Sequence, residues 1–187
     1  MTSTSSAASS LRRLYFVRAA FALVWAVPVA LTGAGLGPVV LALVVLYPLF
    51  DVAAAIVDAR ASRQSENVLG LYVNIAVSLL AAGGVAVAGA TSGTPGILLV
   101  WGAWAIVSGV VQLVVGVGRR RMGGQWPMIL SGGLSVGAGT SFALMASRPD
   151  AVLTSVAGYA AVGGIFFLVS AIRLGSAAKE APATAAA

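Results

Sequence analysis

Three times along this chain a proline is followed nine or ten residues later by an aromatic and then, after more apolar residues, by arginine. The copies are Pro38–Tyr47–Arg60, Pro95–Trp104–Arg119 and Pro149–Tyr159–Arg173. The prolines lie 57 and 54 residues apart, the aromatics 57 and 55, and the arginines 59 and 54. Self-similarity at a fixed period constrains architecture before any single residue is weighed. The repeated unit is an apolar stretch, a short loop and a second apolar stretch, which is a helical hairpin.

The solvent for these hairpins follows from composition. Hydrophobic residues make up 59% of 187 positions and charged residues 9%, whereas a soluble domain carries about 25% charge. A water-facing surface cannot be built from this inventory. A helix needs roughly 20 apolar residues to span a bilayer, and six such stretches can be cut, at about 14–34, 38–57, 68–90, 96–117, 126–146 and 151–173. The expectation is an all-α membrane protein. Its six transmembrane helices occupy residues 14–174 as three hairpins, about 14–60, 68–119 and 126–173. Residues 1–13 and the Ala-rich 175–187 are expected as tails without regular structure. The first span follows Arg12 and Arg13 as a secretory signal would, but it is too long for one and is read as retained.

Charge orients the expected bundle. Ten of the 11 Lys and Arg flank the starts of odd spans or the ends of even ones: Arg12, Arg13, Arg18, Arg60, Arg63, Arg119, Arg120, Arg121, Arg173 and Lys179. Arg148 alone lies opposite. By the positive-inside rule both termini are expected in the cytoplasm, and the basic residues are expected to meet anionic lipid headgroups rather than nucleic acid. The chain has no cysteine and no histidine, which removes thiol chemistry and the commonest metal ligand. No catalytic constellation, phosphate-cradling motif, metal site or cofactor is expected.

Lipid tails are as apolar as leucine, so helices must associate through small residues and polar contacts. The fourth span carries Gly102, Gly109 and Gly116 at seven-residue spacing. The fifth carries Gly132, Gly133, Gly137 and Gly139, with Gly133/Gly137 as a GxxxG pair, and the sixth carries Gly158, Gly163 and Gly164. These are expected to pack helices within the chain, with a homo-oligomer as the alternative. Tyr47, Trp104 and Tyr159 recur near the middle of the even spans and are expected to share one packing role.

Ionisable groups inside a span cost about 2.5–3.5 kcal/mol on insertion scales, and two stand out here. Arg18 lies about four residues inside the first span, roughly 6 Å deep, and Asp51 about eight residues from the end of the second, roughly 12 Å deep. An arginine side chain bridges that difference, so an Arg18–Asp51 ion pair facing the interior is expected. Asn74 and Gln112 fall at comparable depth and complete an expected polar layer.

With these residues laid out, the chain resembles the HdeD-like family of bacterial membrane proteins. The third hairpin carries Trp126-Pro127-Met128-Ile129-Leu130-Ser131-Gly132-Gly133, then Arg148-Pro149, then Gly158-Tyr159 through Gly164-Ile165, and ends at Arg173. The first is similar to that family's variant with an early Arg and a Tyr-x-x-x-Asp-Gly: Arg18, Tyr47 and Asp51 match, and Val52 stands where Gly is expected. The resemblance covers residues 14–174. It implies six transmembrane helices in the bacterial cytoplasmic membrane and a link to survival of acid stress, and it supplies no catalytic residue. Two functions are thus expected to compete: a non-enzymatic protein of acid or envelope stress resistance, and a small transporter or channel for protons or a small solute using Asp51, with Pro28 and Pro48 as candidate helix breaks.

Overall fold

The computed structural model describes residues 2–61, 68–118 and 126–180. Among them all the regular secondary structure is helical: α1 (Thr2–Thr32), α2 (Pro38–Ala61), α3 (Val68–Thr91), α4 (Gly93–Gly118), α5 (Trp126–Met145) and α6 (Thr154–Glu180). In hydrocarbon every backbone N–H and C=O must find its partner within the segment, which an α-helix achieves unaided. Five helices are long and apolar enough to cross a bilayer, all but α5, whose apolar part, Ile129–Met145, is shorter. Large apolar side chains point outward, Leu31, Leu69 and Leu80 among them, each more than three-quarters exposed. This outward apolar surface, carried on several spanning helices, marks a multi-pass membrane protein.

The helix ends follow from local chemistry. Pro38 occupies the first position of α2, where the missing N–H would have had no intrahelical partner. Pro95 stands in the first turn of α4. Pro149 does not open α6, as its place in the repeat suggests; it lies in a turn and α6 begins at Thr154. One residue, Ser92, separates α3 from α4, and the reversal is made by Gly93 at φ +64°, a conformation natural only to glycine. Both helices with an internal proline run on through it, α1 at Pro28 and α2 at Pro48, so neither is broken there.

The terminal helices correct the expectation of unstructured tails. Residues 2–13 continue α1, and α6 extends to Glu180; residues 181–187, Arg63 and Arg119–Arg121 lie outside the described residues. Around the bundle each helix packs on its chain neighbours, and α1 closes the ring on α6. The most extensive interfaces are α4 with α5 and α1 with α6, while α5 and α6 barely touch. Packing between the expected hairpins thus exceeds packing within them.

Glycine explains both large interfaces. A methyl group on Gly102 would lie 2.7 Å from the Gly139 carbonyl oxygen, and one on Gly109 would lie 2.6 Å from that of Gly132. The converse approaches are equally close, at 2.5 and 2.8 Å. Two seven-residue pairs therefore mesh in one antiparallel register, backbone against backbone. On α6 the equivalent residue is Gly164, whose added methyl would meet Ala22 and Leu23 of α1 at 3.1–3.2 Å. Gly133, Gly137 and Gly163 have nothing within 4 Å of the same position. The GxxxG pair is exposed, so the packing glycines of α5 are Gly132 and Gly139 instead. Gly116 lies outside the described side chains.

Candidate functional site

The expected ion pair is the centre of the polar interior. Arg18 of α1 donates from Nη2 to Oδ1 of Asp51 in α2, and the two side chains are only 13% and 15% exposed. Two further donors come from α3, both to Oδ2: Asn74 Nδ2 and Ser78 Oγ, each at 2.8 Å. Asn74 and Ser78 are four apart, hence on one helical face. Ser78 is itself held from α4, where the Trp104 indole N–H donates to its hydroxyl oxygen at 3.2 Å. On the far side, the Arg18 guanidinium carbon lies 4.7 Å from the centre of the Phe167 ring in α6, a cation–π distance. Five of six helices thus meet through one carboxylate.

The direction of these hydrogen bonds matters chemically. Trp104 gives its proton to Ser78, leaving the Ser78 hydroxyl to donate onward, while Arg18 and Asn74 also donate to Asp51. Every donor converges on a group that, when ionised, only accepts. Three of the roughly four acceptor positions of that carboxylate are thereby taken. Charge-assisted hydrogen bonds of this kind are about twice as strong as neutral ones.

Gln112 does not join the layer. It is half-buried in α4, and its Oε1 is buried without a hydrogen-bond partner. Depth along the helix placed it level with Asn74, but depth says nothing about which way a residue faces. Ser78 was missed by the sequence reading, although its spacing of four from Asn74 was a legible signal.

Above the carboxylate the interior is filled by aromatic rings. Trp25 stacks on Trp101 at 5.8 Å, Tyr47 lies 4.7 Å from Trp25 and 5.4 Å from Trp101, and Trp104 meets Trp101 edge-on at 5.1 Å. Trp25 also donates its indole N–H to the Leu43 carbonyl at 2.7 Å, tying α1 to α2 in the turn before Pro48. Tyr159 stands apart, bonded to Ser135 at 3.1 Å and edge-on to Phe142 at 5.8 Å. These two contacts link α5 and α6 where the helices otherwise scarcely meet. Pairs of this type contribute about 0.5–1.5 kcal/mol beyond burial. Comparison of the chain with protein-family models, curated proteins and solved structures found no match to any of them.

Proposed function

We propose that this chain is a non-enzymatic integral protein of the bacterial cytoplasmic membrane, akin to the HdeD-like family, that contributes to resistance against acid or envelope stress. In this reading it is three hairpins with both termini cytoplasmic, and it acts as a structural or partner-binding element. The observation that carries the proposal is that Asp51 accepts from three side chains at once. The one carboxylate deep in the spans is engaged by Arg18, Asn74 and Ser78, which suits a clasp between helices better than a group that must load and release a proton or solute.

The hairpin reading draws support from recurring contacts. The mid-span aromatic of each even helix touches the preceding helix at equivalent positions: Phe21 with Tyr47, Ser78 with Trp104, and Ser135 with Tyr159. The first members are 57 and 57 residues apart, the second 57 and 55. One position in the repeat serves one role, filled by different side chains.

The deciding experiment is acid-challenge survival of a strain lacking the gene, complemented with wild type or Asp51→Asn at matched membrane levels. Restoration by both is the expected result. Rescue by wild type alone, with Asp51→Asn still folded, would favour transport through Asp51. A deletion strain as resistant as its parent would remove the stress role.

A further inference from the structure

Arg12 and Arg13 stand on α1 at the end of the bundle where α2 and α6 also finish. With Ser9, Phe16, Val17 and Ala20 they line a shallow, open groove along one side of α1. These positions advance by three, four, seven, eight and eleven residues from Ser9, a single helical face. The Arg12 guanidinium carbon lies 5.4 Å from the centre of the Phe16 ring. Behind it α6 comes so close at Gly175 that a methyl there would sit 2.9 Å from Arg12 Cζ and Nε. The guanidinium is thereby held between an aromatic ring and a bare glycine backbone.

A pre-positioned guanidinium, with a second arginine next along the same helix, supplies donors suited to a phosphate group. Directly along the helix the surface changes character. Phe16 and Val17 are 37% and 48% exposed, and the exposed apolar face continues through Val24 and Val27. A free phosphate would use the basic half of this face and leave the apolar half idle. A phospholipid uses both.

We propose that this groove binds one anionic phospholipid, its phosphate on Arg12 and Arg13 and an acyl chain along Phe16, Val17 and Ala20. The proposal rests on the bilayer placement of α1 and is independent of the stress role. It goes beyond the diffuse attraction that any basic membrane face exerts, because it assigns the lipid to one face of one helix.

The test uses the full chain in nanodiscs of equal parts phosphatidylcholine and phosphatidylglycerol, followed by mass spectrometry of the lipid that stays bound after detergent extraction. Wild type is expected to retain phosphatidylglycerol selectively, and Arg12→Gln/Arg13→Gln to lose about tenfold or more of that preference, as two headgroup contacts would produce. Arg60→Gln/Arg173→Gln removes the same charge from the same end and is expected to keep it. Equal loss in both double variants would overturn the site in favour of diffuse attraction. Displacement of the lipid by inorganic phosphate alone would overturn it in favour of a free anion. Incorporation without any preference would refute it outright, and failure to incorporate at all would also remove the membrane placement beneath it. Thermal stability of each variant in detergent serves as the folding check.

Discussion

Between α4 and α5 the contact is backbone on backbone, made at Gly102 with Gly139 and Gly109 with Gly132, and it involves no charge. Between α1, α2 and α3 it is a carboxylate taking three donors, with an arginine backed by Phe167. Both regions face the same difficulty: in lipid, burying apolar surface brings no net gain from leaving water. The glycine interface gains dispersion by eliminating side chains. The polar interface gains electrostatics in a medium where the alternative is an unpaired charge. The first should tolerate changes of charge nearby and fail on a single added methyl. The second should tolerate small changes of size and fail on a single lost charge.

Mutations can break this comparison at several levels, and the largest effect is expected at the carboxylate. Asp51→Ala strands Arg18 and should destabilise by about 3–5 kcal/mol, read as the denaturant midpoint in detergent. Arg18→Ala should be similarly harmful, while the double variant should be better than the sum of the two, with a coupling of about 0.5–3 kcal/mol. Strict additivity would mean the pair contributes nothing as a pair. Next comes Gly109→Ala, whose methyl would have to push the Gly132 carbonyl away; overpacking of this kind costs about 1–3 kcal/mol. A neutral result there would show that α4 and α5 slide freely, and the contrast would collapse.

Smaller effects sharpen it. Asn74→Ala and Ser78→Ala each remove one donor but leave the ion pair in place, and interhelical hydrogen bonds in membranes average about 0.6 kcal/mol. Ser78→Ala should exceed Asn74→Ala, because it also orphans the Trp104 indole N–H. At the bottom of the scale, Gly133→Ala and Gly137→Ala should leave stability in detergent within experimental error, since both positions open outward. A pronounced loss of a larger species in crosslinking from these two would instead identify a self-association face.

The Arg18–Asp51 pair was legible because it needs only two quantities, depth along a span and side-chain reach. Asn74 was legible for the same reason. Gln112 shared the depth and failed, because its azimuth depends on how α4 is rotated against its neighbours. The glycines divide in the same way. Gly102 and Gly109 stand on a seven-residue stripe that any straight helix keeps on one face. Four residues of α5 fit two competing stripes, Gly132/Gly139 and Gly133/Gly137, and nothing local distinguishes them.

What the amino-acid order determined alone was the class of solvent, the helical content and the positions of the buried charges. A bilayer admits few backbone solutions, and the insertion cost of each ionisable residue marks it in advance. The tertiary structure alone decided which faces meet. It closed α1 onto α6, chose between the α5 stripes, brought Ser78, Trp104 and Phe167 to the Arg18–Asp51 pair and left Gln112 outside it. Periodicity along one helix specifies a face. The partner of that face is set by the packing of all six helices at once.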